Sequence, residues 1–424
     1  MFRFPRAVWL LGWVSLATDA ATEAIYPLLP FFLTRVLGAG AVSLGVIEGA
    51  AEAVNSILKI ASGRIADRSR SKRPLVLLGY SVSSIARPFI AVSGTWTQVL
   101  IVRVLDRMGK GVRGAPRDAM LATWTTPTTR GKVYGFHRGM DHFGAVIGPA
   151  LASLFLFFYP DHYRTLFALT IIPGAIAVIL ILFVHEPEAD STGNAVASPV
   201  ASDLRRTVAS PVVSDLSRGD PSPVASGFSR TVPAGLTVPA ALPREFTAFM
   251  LVLALFTLGN STDAFLLLKL TDVAGSVRWI PLMWSALHVV KATVSMVGGS
   301  WSDRIGRRAV IAIGWIVYAA VYAGFATGGT LTALVAWFLI YGFYFGFAEG
   351  TEKALVADLA PVDRRGFAFG IYTAVQGLGA LAASVLFGVI WKTFGSAAAF
   401  GLGAALALTA TALLFVVVRP ATSV

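Results

Sequence analysis

The chain has 424 residues, 55% of them hydrophobic and only 14% charged, with 35 lysines and arginines against 23 aspartates and glutamates for a net charge of +12. Soluble domains carry about 25% charged residues, so the composition excludes a string of soluble domains. The lack of cysteine excludes disulfides, thiolate catalysis and cysteine-ligated metals.

Apolar runs of roughly 20 residues, the length that crosses a bilayer, recur along the chain. Twelve are predicted as helices: 7–33, 41–63, 74–93, 96–122, 133–158, 163–185, 246–270, 279–300, 309–327, 330–357, 366–391 and 395–418. The expected fold is therefore an all-α polytopic membrane protein. It would consist of one six-helix bundle over 1–185 and a second over 246–424. A membrane β-barrel would show short alternating segments instead. No cleavable leader is expected, because Arg3 and Arg6 precede a long helix holding Asp19 and Glu23, without a small-residue cleavage site nearby. Residues 186–245 differ in composition: Ser198-Pro199-Val200 recurs as Ser210-Pro211-Val212 and Ser222-Pro223-Val224. Low complexity and frequent proline predict a disordered linker.

The loops predict orientation. Arg64, Arg68, Arg70, Lys72 and Arg73 follow the second segment, and Arg130 and Lys132 follow the fourth. Arg304, Arg307 and Arg308 follow the eighth, and Arg364 and Arg365 the tenth. The opposite loops at 93–97 and 326–330 carry no charge. Basic loops remain in the cytoplasm, so both termini and the linker are expected there. This accounts for the positive charge without nucleic acid. The abundance of alanine and arginine suits a GC-rich bacterial genome and a bacterial cytoplasmic membrane.

Charges also fall inside the predicted helices. Arg103, Asp106, Arg107, Lys110, Arg113 and Arg117 share a stripe of the fourth helix roughly 120° wide. Arg107 lies about 16 Å along that helix, near mid-bilayer. Lipid exposure of such groups is costly, so they must face water or partners. Arg117 and Asp118 are expected at the interface. Asp19, Glu23 and Tyr26 line one face of the first helix, and Glu48, Glu52, Asn55 and Lys59 one face of the second. These acids are available to neutralise the bases of the fourth. The second half supplies Asn260, Asp263, His288, Lys291, Glu349, Glu352 and Lys353, with Trp284, Tyr341 and Tyr344 as candidate cavity wall.

Two patterns are set aside. Gly109-Lys-Gly111-Val-Arg-Gly114 fits a dinucleotide-loop spacing but follows no strand. His137 and Asp141, four apart on a helix, form a local pair rather than a metal site with His142. No nucleophile elbow or phosphate loop occurs, so neither an enzyme nor a cofactor is expected.

The halves repeat. Ala119-Met120-Leu121-Ala122, Pro127, Arg130-Gly131 and Gly135 recur at a constant offset as Ala354-Leu355-Val356-Ala357, Pro361, Arg365-Gly366 and Gly370. Gly299, Asp303, Arg304, Gly306, Arg307 and Arg308 keep a Gly-x3-Asp-Arg-x-Gly-Arg-Arg spacing, and Gly63, Asp67, Arg68 and Arg73 repeat it with one extra residue. This pattern resembles the loop motif of the major facilitator superfamily, and the resemblance extends over the chain outside the linker. It implies alternating access between two six-helix bundles, with these loops latching the inward face. Gly135, Gly144, Gly148 and Pro149, followed by Ala152 and Ser153, are similar to the family's antiporter motif, which implies export of the drug–proton type. Arg103, followed by Asp106, Arg107 and Gly109, partly matches the motif around an intramembrane arginine to which the family assigns proton coupling.

The sequence therefore reads as a monomeric twelve-helix transporter that exports a small solute, driven by protons. Coupling is assigned to Asp19, Glu23, Arg103 and Arg107, with Glu52 and Asp141 in reserve. Solute contact is assigned to Asp106, Lys110, Arg113, Asp263, His288, Lys291 and Glu349. The excess of bases on the fourth helix suggests an anionic or zwitterionic solute. The alternatives are an importer or facilitator of an anionic metabolite, and a non-transporting membrane sensor or scaffold.

Overall fold

The computed structural model describes residues 4–69, 71–124, 130–186, 242–361 and 365–418. The expected linker lies outside them over 187–241, as do the side-chain surroundings of the motif positions Asp67, Arg68, Gly135, Gly299 and Asp303. The described residues form twelve long helices and no strand. In the first half these are α1 (Arg6–Ile25), α2 (Ala41–Arg68), α3 (Arg73–Ala86), α4 (Trp96–Thr123), α5 (Arg130–Phe158) and α6 (Tyr163–Leu182). In the second half they are α7 (Arg244–Ala274), α8 (Ile280–Ile305), α9 (Arg307–Thr327) and α10 (Leu331–Leu359). The helical run Arg365–Val417 leaves helical geometry at Gly395 (φ 86°, ψ 170°), which divides it into α11 (365–394) and α12 (396–417).

Several helices depart from regularity where the sequence removes or diverts backbone donors. Pro27 and Pro30 lack N–H groups, and α1 continues to Val36 through a 3₁₀ turn at Tyr26–Leu28 and a wide turn at Phe32–Val36. Pro88 does the same in α3, which tightens into 3₁₀ turns over Arg87–Val92. The uninterrupted helix expected over 246–270 is corrected: α7 is helical over Arg244–Gly259 and Ala264–Ala274 and opens between them. The intervening Asn260, Ser261, Thr262 and Asp263 are residue types whose side chains compete for backbone hydrogen bonds.

Nine of the twelve helices lie in segments long and apolar enough to cross a membrane. The other three, α1, α4 and α8, carry Asp19 and Glu23, the α4 charge stripe, and His288 and Lys291. Within the first half α1 packs on α5, and α4 on α2 and α3; within the second, α10 packs on α8 and α9. The halves meet through α2 against α11 and α5 against α8. Aromatic stacking fills the second half, with Phe256 on Trp315 (centroids 4.3 Å apart, planes 7°) and Tyr318 on Tyr322 at 4.1 Å. Large apolar side chains such as Phe158, Leu251, Phe394 and Val416 remain exposed on the outer surface, as a lipid-facing surface requires.

Candidate functional site

Opened backbone within a membrane must find hydrogen-bond partners or line a polar cavity, and the break in α7 does both. Tyr318 of α9 donates to the carbonyl of Gly259 at 2.8 Å, and Asn260 donates to the Tyr344 hydroxyl of α10 at 2.9 Å. Ser261 shares a hydrogen bond with Tyr322 at 3.0 Å, and the Thr262 amide donates to Ser384 of α11 at 3.3 Å. Tyr341 donates to Asp263 at 2.7 Å, and Lys291 Nζ lies 3.4 Å from the same carboxylate. The Lys291 ammonium also sits 3.5 Å from the Phe345 ring centroid. The opened turn is thus held by α8, α9, α10 and α11 of its own half.

It faces the first half across a cavity of about 310 Å³. Glu23 and Tyr26 of α1, Glu48 and Glu52 of α2, and Arg107 of α4 form one wall. Asn260 to Asp263, Trp284 and Phe345 form the other. Tyr26 and Thr262 share a hydrogen bond of 3.1 Å across the two halves, and Trp284 Nε1 donates to Glu23 at 2.8 Å. A second cavity of about 240 Å³ is lined by Asp19, Lys59, Lys110, Arg113, Arg117, Asp141 and His288 among others. Glu23 lines both cavities. His288 Nε2 approaches the Glu23 carboxylate at 3.9 Å, and neither ring nitrogen of His288 makes a hydrogen bond.

Behind the first cavity lies a buried ion network. Arg103, 2% exposed, grips Glu48 with Nε at 3.0 Å and Nη2 at 2.8 Å. Asp106 accepts from Arg87 Nε at 3.1 Å and lies 3.7 Å from Arg103. Arg113 donates to Ser83 at 2.7 Å and covers the Tyr80 ring at 4.5 Å. Arg87 is absent from the sequence reading. Its signal was available: an arginine inside an apolar segment, just before a proline. In the second half Glu352 is equally buried and accepts from Trp315, Tyr372 and Gln376 at 3.0 to 3.2 Å, tying α9, α10 and α11 together.

Of the residues assigned to coupling, Glu23, Glu52 and Arg107 meet in the first cavity, and Asp19 and Asp141 in the second. Asp141 is hydrogen-bonded by Ser15 and lies 3.7 Å from His137. Arg103 is enclosed in its pair with Glu48. Of those assigned to solute contact, Asp263 lines the first cavity, and Lys110, Arg113 and His288 the second. Asp106 lies in the ion network outside both cavities, and Lys291 stands behind the first, against its wall residues Asp263 and Phe345. Glu349 stands half-exposed between Arg138 (3.4 Å) and Lys353 (2.9 Å). Ser261, Thr262, Phe345 and Ser384 join the cavity wall without having been singled out.

The loop motifs do local work in each half. Arg73, opening α3, donates to the Leu182 carbonyl at the end of α6, and Arg308, in the first turn of α9, donates to the Phe415 carbonyl near the end of α12. Arginine at a helix C-terminus satisfies carbonyls that have no partner in the helix. Arg307 pairs with Asp358 at the end of α10. Gly306 takes φ +92°, which glycine alone adopts readily; Arg304 is exposed, and Gly63 faces Ala115. Gly144 and Gly148 of α5 face the backbone of α1, where a β-carbon at Gly148 would fall 2.7 Å from the Ala20 Cα. α5 runs on through Pro149.

The sequence profile of the Major Facilitator Superfamily matches residues 9–287 and 249–424. The chain belongs to the Major Facilitator Superfamily. It is 32% identical over 391 residues to an MFS-type transporter of Methanocaldococcus jannaschii, covering 91% of this chain and 88% of that one. A multidrug resistance protein, MdtH, of Photorhabdus laumondii is 29% identical over 132 residues, 31% of this chain and 33% of its own. The solved structure of a POT family transporter in complex with 5-aminolevulinic acid superposes with a TM-score of 0.77 at 14% identity, covering 100% of this chain and 98% of that one. This superfamily member is a multi-pass membrane transporter and not an enzyme.

Proposed function

We propose that the chain exports a small solute from the cytoplasm in exchange for protons, by alternating access, with its basic loops and both termini on the cytoplasmic side. The observation that carries this reading is the position of Glu23. Its carboxylate lines both cavities, is held by Trp284 of the opposite half, and among the described residues has no lysine or arginine nitrogen within 4 Å. A carboxylate without a fixed cation can bind either a proton or a cationic group, and two ligands competing for one group are coupled in opposite directions. His288 provides a neighbouring proton acceptor toward the second cavity. Asp19 and Asp141 extend the path in the direction of the basic loops.

The end contacts suit this cycle. At the end remote from the basic loops, Arg35 pairs with Asp272 at 3.0 Å and Ser153 donates to the Arg278 carbonyl at 2.7 Å, both across the halves. At the basic end, the described side chains are joined by Arg138 and Glu349. We read this as a state closed outward. Export is favoured over import by the close packing of Gly144 and Gly148 on α1, the arrangement the antiporter motif implies. The partial match to a multidrug resistance protein supports the same direction.

The test is reconstitution with an entrapped pH dye, an imposed proton gradient, and pooled metabolites and drugs as candidate solutes. A solute should trigger proton flux in the wild type, and Glu23→Gln should reduce that flux at least about tenfold while leaving a folded, monodisperse protein. Solute flux that moves no protons would replace this reading with a facilitator.

A further inference from the structure

Among the buried arginines of the first half, Arg107 stands apart. Arg87, Arg103 and Arg113 each have a hydrogen-bond partner at 3.1 Å or less. Arg107 is 8% exposed, lines the first cavity, and has no hydrogen bond or ion pair among the described residues. Burying a guanidinium is costly unless a partner completes it. Its planar fork of N–H donors fits a carboxylate through two parallel hydrogen bonds.

The other charges of the cavity define what accompanies that carboxylate. Arg103 neutralises Glu48, and Lys291 with Tyr341 occupies Asp263. Among the described residues Glu52 accepts only from Asn55, at 3.1 Å, and Glu23 from the neutral Trp284. Two acids and one base thus remain for the solute and the proton. The two acids and one base sum to a single negative charge, so a simple cation would balance it but would leave the Arg107 fork without a hydrogen-bond acceptor; a simple anion would deepen the negative charge. Between these charges, Tyr26, Trp284 and Phe345 supply apolar wall.

We propose that the first cavity binds a zwitterion, an α-amino acid or similar solute with an apolar or aromatic body. Its carboxylate lies on Arg107, its ammonium faces Glu23 and Glu52, and its body lies against Trp284 and Phe345. Arg107 is then a solute anchor and not a proton relay. The proton competes with the ammonium for the two acids, which rests on the exchange reading given above.

The test is equilibrium binding to the purified full chain in detergent, without a gradient. The probes are radiolabelled L-leucine, L-phenylalanine and L-tryptophan, each competed by its amide, which keeps only the cation, and its N-acetyl form, which keeps only the anion. At least one free amino acid should bind, and both of its blocked forms should bind roughly ten- to hundredfold more weakly. Arg107→Gln should abolish binding, and Arg107→Lys, which keeps charge but loses the fork, should weaken it about tenfold. Should Arg107→Gln fail to fold, the blocked forms on the wild type decide. No binding of any free amino acid, equal binding of either blocked form, or unchanged binding in folded Arg107→Gln overturns the assignment. Proton flux triggered by a purely cationic solute would overturn it too while leaving proton exchange intact. Amino-acid binding without proton flux would do the reverse.

Discussion

Among the described residues of the first half, Glu48 and Arg103 form the tightest charge pair, and both are almost fully buried. Removing one member of such a pair strands the other, which costs about 3–5 kcal/mol, whereas replacing both by apolar groups is often neutral. Glu48→Gln should therefore lower unfolding stability in detergent by about 3–5 kcal/mol, and Glu48→Leu combined with Arg103→Met should recover most of it. A loss below about 1 kcal/mol in the single variant would mean that Asp106 already balances Arg103. The sequence made the charges of α1, α2 and α4 visible, because charge in an apolar segment has few explanations. It could not say which acid takes which base. Arg103 and Arg107 lie four residues apart on one face, yet one is clamped and the other open. The difference arises from α2, whose Glu48 reaches the first and not the second.

At the level of helices, the motif glycines of α5 permit a close crossing with α1. Gly148→Ala introduces a β-carbon that meets α1 backbone, which yields less readily than a side chain. It should cost about 1–3 kcal/mol, measured as a lowered unfolding midpoint, while alanine at Gly139, where the added carbon meets nothing within 4 Å, should leave the midpoint unchanged or raise it slightly, alanine being the better helix former. Helix positions followed from apolar periodicity and loop composition, and these ends agree with the structure to within a few residues along most of the chain. The opening of α7 was less legible. Its flanks are apolar enough to read as one helix, and Asn260 to Asp263 stay open because Tyr318, Tyr322, Tyr341 and Tyr344 arrive from α9 and α10 to satisfy them. Those partners lie some sixty to eighty residues downstream, and only the fold brings them to the break.

For the molecule as a whole, the alternating access proposed above makes the contacts across the halves set the balance between an outward-open and an inward-open state. Arg35 and Asp272 are 61% and 39% exposed, and an exposed pair contributes up to about 1 kcal/mol. Arg35→Ala should accordingly move the balance toward the outward-open state by no more than about fivefold. Since the chain has no cysteine, label pairs can be introduced at the ends of α1 and α7 without background, and distance distributions will report the shift. An unchanged distribution would place the closing energy in Ser153 and Tyr26. The paired halves themselves were foreseeable from the repeated loops. The division of labour was not: Arg73 and Arg308 each close their own half by capping its last helix.

The weak apolarity of α4 has a consequence for how the protein is made. A charge at the centre of a helix entering lipid alone costs about 2.5–3.5 kcal/mol, and α4 carries Arg103, Asp106 and Arg107 together. Synthesis delivers α2 and α3 first, so Glu48 and Arg87 are waiting when their partners on α4 leave the ribosome. The order of the helices along the chain is therefore also an order of membrane insertion, in which α4 enters as the third member of a group already prepared to receive it.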